Sequence, residues 1–415
     1  AQARLAAVRP VRLPDRAPSM GWSFLPAVAA CLLPTLSQGA TGDGAPLDAA
    51  LGERIAGALW GLFIGDALAM PVHWYYGGPE QVRRDFGGKL ISGYEKAVHP
   101  FPESIMQLSN TGGAGRGGSE GDVVGSVILH GKKDYWRRGG QYHYHITLEA
   151  GENTLEASLA RLLMRTITDG KGAFRPDEFR EDYIRFMTTP GTHNDAYAST
   201  CHRMFFKNWR EGKPPQDCPD NDGHNVDTID GLVLPTVVLL AELGAGRPRG
   251  QAVERAVGAL AVTRSSGELP AYIEVMADLL AGVLEGRPLD AVAQEVARQR
   301  YGGDLAHQVR QRGKSDPMVA CYVGGAFPAL LHFAYKYAAH PAEEALLASA
   351  NAGGENVHRG AVLGALVGAV AGAGRLPPEL QTGLVAHEEL KQEIDRFVDV
   401  ISRAGREREG ETSEL

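Results

Sequence analysis

The segment GAVLGALVGAVAG places glycine at 360, 364, 368 and 372, every fourth residue of a run of about 13 otherwise apolar residues. Positions four apart share one face of a helix. A stripe of glycines on that face removes side chains and lets a second helix backbone approach closely. The run is too short to cross a bilayer, which takes about 20 residues, so it reads as a buried core helix. Near the other end of the chain, Gly57, Gly61 and Gly65 repeat the same step beside Leu51, Ile55, Leu59 and Leu62. These two helices account for part of a glycine content of 52 in 415 residues, against a usual ~7%. No Gly-X-Y period is present, which excludes collagen.

Most of the remaining chain also follows a helical period. Apolar positions predict helices over 155–166, 177–187, 232–243, 251–261, 272–284, 289–300, 327–338, 341–350 and 390–404. Only 89–94 and 123–129 carry a weak strand pattern. The expected fold is therefore all-α, a single large multi-helix domain over 49–404, with long loops around 95–145 and 188–228. Loops of that length are often functional.

The two ends differ from this body. Residues 1–48 contain four arginines and one acid before Met20, then a short apolar stretch and small residues, the composition of a signal or transit-like leader. Such a leader implies entry to an organelle or the secretory route; without it the cytoplasm is the expectation. Residues 405–415 (GREREGETSEL) read as a charged, solvated tail. A net charge of −8 argues against a general nucleic-acid binder, which needs a basic face. Cys31, Cys201, Cys218 and Cys321 form neither a CxxC pair nor a disulfide framework.

Candidate chemistry concentrates at two helix starts. Gly151-Glu152-Asn153-Thr154 precedes LEASLARLLM, and Gly353-Gly354-Glu355-Asn356-Val357-His358 precedes the glycine-striped helix. Each sets an acid and an amide where backbone N–H groups lack partners. That composition suits capping, and it equally suits two helix starts presenting oxygens to one ion or phosphate. His143 and His145 flank Tyr144, and strict alternation sends neighbouring side chains to opposite sides. Asp227 and Asp230 are spaced either as an acid–base pair or as caps of the helix near Leu232. GGAGRGGSEG (112–121) lacks the Lys-Ser/Thr ending of a phosphate loop but suits a flexible flap. No HExxH motif occurs, and Ser265-Ser266-Gly267 does not form the GxSxG of a nucleophile elbow.

In this order the segments resemble the ADP-ribosylglycohydrolase family, which also includes the J1 crystallins. GALWGLFIGDALAMPV resembles the family's opening G-A-x-x-G-x-x-x-G-D-A-L-G-x-P, with Asp66 in the GDAL position. Glu152-Asn153-Thr154 falls on the T-D-D-T motif, and NAGGENVHRGAVLGALVGA resembles the closing N-x-G-G-D-[ST]-D-T segment. The resemblance spans about 51–370. It implies an all-α hydrolase that cleaves the bond joining ADP-ribose to a protein or small acceptor. It also implies two Mg²⁺ or Mn²⁺ ions, with Glu152, Glu355 and Asn356 at the ligand positions.

The departures are specific. Paired aspartates become Glu152-Asn153, D-x-D becomes Glu355-x-Val357, and the carboxylate position after GDAL-x-P holds His73. A neutral amide adds no charge for a hard cation and valine is no ligand at all. One metal, a softer histidine-assisted metal, or none are all compatible with this set. On the resemblance, Glu152 and Glu355 are the principal carboxylates, with His145 and His358 as acid/base or ligand groups. Asn153, Thr154, Asn356, Asp66, Asp227 and Asp230 form the substrate-binding shell. The alternative is a catalytically inactive, crystallin-like or ADP-ribose-binding relative; a glycosidase acting on another nucleoside or sugar is a third reading.

Overall fold

The computed structural model describes residues 49–113 and 122–413, with side chains to Arg408. The leader assigned to 1–48 and most of the glycine-rich loop, 114–121, lie outside these residues. Among the described residues there are fifteen α-helices and no strand. In chain order they are α1 (Ala49–Ala69), α2 (Gly78–Asp85), α3 (Leu155–Asp169), α4 (Pro176–Thr188) and α5 (Thr200–Arg210). Next come α6 (Val233–Gly244), α7 (Arg249–Thr263), α8 (Leu269–Leu284), α9 (Leu289–Tyr301) and α10 (Leu305–Arg312). The last are α11 (Val323–Lys336), α12 (Ala342–Ala352), α13 (Val357–Ala371), α14 (Pro378–Thr382) and α15 (His387–Ser413).

The all-α expectation holds, with three local corrections. The strand patterns at 89–94 and 123–129 form no strand; the second contributes one isolated bridge, Val124 to Ile128. Alternation alone does not make a sheet when no second strand is available to accept its hydrogen bonds. The loop expected over 188–228 is interrupted by α5, and 405–413 continue α15 as helix.

Helices α1 and α13 form the centre, and their mutual contact is the most extensive in the molecule. They run antiparallel, with Gly57 opposite Gly368, Gly61 opposite Gly364 and Gly65 opposite Gly360. A Cβ on Gly61 would lie 2.0 Å from the Gly364 carbonyl oxygen, and one on Gly364 would lie 1.9 Å from that of Gly61. Only glycine permits this approach. Residues 49–72 are long and apolar enough to cross a membrane, but they are almost entirely buried in the protein, the pattern of a core helix.

Antiparallel packing has one decisive consequence for function. It brings the C-terminal end of α1, and the residues just after it, beside the N-terminal end of α13. The chain leaving α1 is tied to the chain entering α13 by an antiparallel bridge: Trp74 N donates to Gly354 O (2.9 Å) and Gly354 N donates to Tyr75 O (3.0 Å). Gly353 has φ +71°, and a Cβ there would meet Tyr75 O at 2.2 Å. The Gly-Gly pair before Glu355 is thus a requirement of this crossing.

Candidate active site

Asp66, in the last turn of α1, is fully buried and organises the start of α3. Its Oδ1 accepts from Thr154 N (2.8 Å) and Asn153 Nδ2 (2.9 Å), and its Oδ2 from Thr154 Oγ1 (2.6 Å). Burial raises the carboxyl above its ordinary range, against the lowering effect of these donors. Asn153 also donates to Phe63 O (2.8 Å). Asp66, Asn153 and Thr154 therefore lock α1 to α3, and the free N–H groups of α3 are capped by distant carboxylates rather than by Thr154 itself. The next N–H, that of Leu155, donates to Asp195 Oδ2 (2.9 Å).

From Asp195 a line of side chains crosses the buried interior. Asp195 accepts from Tyr197 N (3.1 Å) and faces His145 Nδ1 at 2.9 Å. His145 Nε2 lies 2.7 Å from His73 Nδ1. His73 Nε2 lies 3.2 Å from each oxygen of Glu355. Glu355 Oε1 is in turn 2.7 Å from His358 Nδ1 and accepts from His358 N (3.3 Å). Trp74 Nε1 donates to Glu355 Oε2 (2.7 Å). Trp74 holds a left-handed φ of 58°, a conformation that costs about 1–2 kcal/mol for an L side chain, and the indole contact helps offset it.

Burial decides the charges along this line. Burial alone would raise the Asp195 carboxyl, but His145 and the two main-chain donors hold it below its usual range. Burial likewise opposes ionisation of Glu355, yet His73 and His358 hold it well below the carboxylate range. The His73 imidazole is pulled down to about 4 by burial, with Glu355 acting in the opposite direction. For His358 burial also works against the charge, but the Glu355 carboxylate prevails and pushes it up to about 10.

A second network lies on the neighbouring face of α3. Glu156 Oε1 accepts from Ser199 Oγ (3.0 Å) and lies 2.7 Å from His202 Nε2. Tyr183 Oη is 2.8 Å from His202 Nδ1. Arg264 donates to Asp230 Oδ2 (2.9 Å) and stands 4.0 Å from Glu156. Burial opposes the Glu156 charge, but His202 and Arg264 bring its carboxyl down to about 2. Its Oε2 is buried without a hydrogen-bond partner among the described residues. Between the two networks lies a small cavity lined by His145, Thr154, Glu156, Asp195, Tyr197 and His358, with room for about one water.

The expected residues are thus distributed unevenly. Glu355, His145 and His358 meet in the first network, while Asp230 joins the second through Arg264. Of the histidine pair, only His145 enters the site; His143 Nδ1 accepts from His145 N (3.1 Å). Glu152 is placed elsewhere. It is half-buried, accepts from Glu149 N (2.8 Å) and Asn194 Nδ2 (3.3 Å), and lines a surface depression with Lys132 and His193. Asp227 accepts from Asn221 and Ser266 at the molecule's periphery. Asn356 spends its Nδ2 on Val72 O (3.1 Å) and Ala350 O (2.8 Å), while its Oδ1 is buried without a partner among the described residues. Glu156, Asp195, His202 and Arg264 were not among the sequence candidates.

A pair of hard divalent ions at Glu152, Glu355 and Asn356 does not fit this arrangement. Such ions take six or more oxygen ligands, and here Glu152 turns to other partners while both Glu355 oxygens already accept protein donors. Asn356 offers one neutral oxygen. What the site does contain is imidazole: His73, Glu355 and His358 present ligand atoms all within 4.8 Å of one another, as do Glu156, Cys201 and His202.

The comparisons with known proteins agree with the fold and with the motif order. The sequence profile described as ADP-ribosylglycohydrolase matches residues 47–408. A solved chain described as an ADP-ribosylglycohydrolase-related protein complex is similar over 85% of this chain and 99% of its own, with a TM-score of 0.53 and 19% identity. At that identity the likeness shows the shared fold alone. No curated protein gives a match. With the profile covering nearly the whole described chain, this protein belongs to the ADP-ribosylglycohydrolase family.

Proposed function

We propose that the protein is a hydrolase that cleaves the glycosidic bond between the ribose of ADP-ribose and a protein or small acceptor. The observation that carries this reading is the one-water cavity between Glu156 and His358, set where the ends of α1, α3 and α13 converge. Glu156 stays ionised, and its unpartnered Oε2 is the atom available to orient a water. A fixed carboxylate also stabilises the positive charge that develops at an anomeric carbon as its bond to the leaving group breaks. His358 has Nδ1 committed to Glu355, which leaves Nε2 to hydrogen-bond the departing group. Aromatic Tyr197 and the dry walls around it keep other water out.

The test is release of ADP-ribose from mono-ADP-ribosylated protein and from a small ADP-ribosylated acceptor, followed by chromatography. Turnover is expected, and Glu156→Gln should lower kcat by about 10²-fold or more, with Glu152→Gln close to the parent. Absence of release from either substrate, with any divalent ion supplied, overturns the proposal. A second reading is a binding relative that does not turn over, and one observation favours it. His73, Glu355 and His358 are 0%, 1% and 5% exposed, so a ribosyl group reaches them only if the surrounding loops part. Calorimetric binding of free ADP-ribose without turnover would establish that reading.

A further inference from the structure

We propose that a second site, at the end of the α1–α13 pair remote from Asp66 and Glu355, binds a nucleoside phosphate. Arg54 and Arg375 hold the phosphate, and an adjoining cavity beside Tyr337 receives the base. This site does not depend on the hydrolase reading.

The antiparallel packing that gathers the end of α1 and the start of α13 at the candidate active site does the reverse at the other end. There the first turns of α1, the last turn of α13 and the turn after α8 enclose a cavity of about 390 Å³. Its charged lining is Arg54, Arg287 and Arg375 against the single acid Glu53, in a chain whose net charge is −8. Arg54 precedes Asp66 by 12 residues, which is about 18 Å of helix. The two sites are therefore separate.

Two of these guanidinium groups are held in place without being neutralised. Arg54 is half-buried, and its Nη1 donates to Leu284 O across 3.4 Å. Its guanidinium lies against Gly286, where a Cβ would come within 2.7 Å of Nη2. Arg375 donates to Ala371 O through Nε and to Val370 O through Nη2 (3.0 Å). It thereby covers two carbonyls at the C-terminal end of α13 that would otherwise repel an anion. Among the described residues neither arginine has a carboxylate partner. Arg287, by contrast, is paired with Glu295, and Glu53 accepts from Gly374 N (3.2 Å). Main-chain carbonyls thus fix the orientation of Arg54 and Arg375 and leave their charge unmatched. A guanidinium fork suits the oxygens of a phosphate, which it can bind through two parallel hydrogen bonds.

Arg375 stands where this cavity meets the next. Together with Val370 and Ala371 it also lines a cavity of about 250 Å³ whose other walls include Leu289, Tyr337, Pro341 and Val367. Tyr337 spends its hydroxyl on Asp316 Oδ2 (2.8 Å), so it offers the cavity only its ring. The His340 ring meets it edge to face with centroids 5.4 Å apart. Such a wall suits a flat ring, and every nucleobase has a π-face to set against it. The two cavities together fall within the ~300–1,000 Å³ usual for small-ligand sites. Phosphate alone would leave the apolar part empty, and a nucleoside alone would leave both arginines unmatched. A nucleoside phosphate fills both.

The experiment irradiates the full chain with 8-azido-ADP and identifies the labelled peptides by mass spectrometry. Label is expected on peptides covering 283–287, 337–342 or 370–377, suppressed by excess ADP or pyrophosphate but not by adenosine. Arg54→Gln and Arg375→Gln should each weaken ADP at this site by about 10–100-fold, the loss of a hydrogen bond to a charged group. Arg310→Gln, an exposed arginine on α10, should change nothing, and circular dichroism checks that each variant is folded. The proposal is overturned if those peptides stay unlabelled in the folded parent, or if labelling persists unweakened in both folded variants. Suppression by adenosine as strong as by ADP also overturns it. Label confined to peptides around Glu156 and His358 sinks this site and leaves the hydrolase proposal standing.

Discussion

His145 Nε2 and His73 Nδ1 lie 2.7 Å apart with their rings parallel to within 4°, and both rings are buried. Their orientation is set from one end by Asp195, a buried carboxylate that also caps α3. Asp195→Asn removes the charge and forces an amide N–H₂ toward either Leu155 N or His145. Loss of one partner from a buried charged network costs about 3–5 kcal/mol, and that is the expected destabilisation in urea unfolding. Stability within about 1 kcal/mol of the parent would show that the line from Asp195 to Glu355 does not hold the site together.

Within the two central helices the expectation is opposite for a seam glycine and one off the seam. Gly364→Ala drives a methyl into the Gly61 carbonyl, a backbone atom with no rotamer to change. Overpacking ordinarily costs about 1–3 kcal/mol, and a rigid backbone neighbour puts this site at or above the upper end. Gly52, in the first turn of α1, has only Val398 Cγ1 near, at 3.5 Å. There Ala gains helix propensity, and Gly52→Ala should be neutral or stabilise by up to about 1 kcal/mol. Thermal melts of the two variants decide this. Equal shifts would mean the two helices do not approach as closely as their backbones indicate.

The same seam marks what could be read in the sequence and what could not. Glycine every fourth residue is a local signal, so α1, α13 and their close packing were legible, and the antiparallel pairing then placed Glu355 beside His73. Glu152 drew attention because it stands in the motif position, yet Glu156, one helical turn later, carries the buried charge. Within LEASLARLLM an acid in the first turn looks like an ordinary helix-dipole partner. Its actual partners, Ser199, His202 and Arg264, are 43, 46 and 108 positions away, and no local pattern encodes contacts at that separation. Asp195 sits in HNDAY, inside a loop whose only sequence signal was its length. His73 was visible only as a departure from an expected carboxylate.

Acid should unfold the protein in two steps with separable causes. The His193 imidazole is pulled down to about 4, chiefly by burial, so the unfolded chain binds a proton near its ordinary 6.5 that the folded chain refuses. Between about pH 6.5 and 4 the unfolded state therefore holds more protons, and stability falls as pH falls. Glu156 adds a second step. Its carboxyl is brought down to about 2, so its contribution is present above the unfolded value near 4.5 and is lost as pH drops toward 2. His193→Gln should flatten the upper part of the acid limb and Glu156→Gln the lower part, in unfolding free energies measured across pH 2–7. A slope unchanged in both variants would remove these groups as the cause.

Cysteine chemistry separates the two groups of possible metal ligands. Cys201 lies beside Glu156 and His202, but Arg264 stands 4.0 Å from that carboxylate and already supplies the positive charge an ion would bring. Burial pushes the Cys201 thiol up to about 12, so it is protonated at neutral pH and a poor ligand or nucleophile. Cys218 is also buried, its thiol donating to Lys213 O (3.6 Å) and Pro214 O (3.4 Å). Iodoacetamide at pH 8 should therefore leave Cys201 and Cys218 unmodified in the native chain and alkylate both once it is unfolded, as read by mass spectrometry. Rapid native alkylation of Cys201 would show that the second network is open to solvent reagents rather than closed by burial.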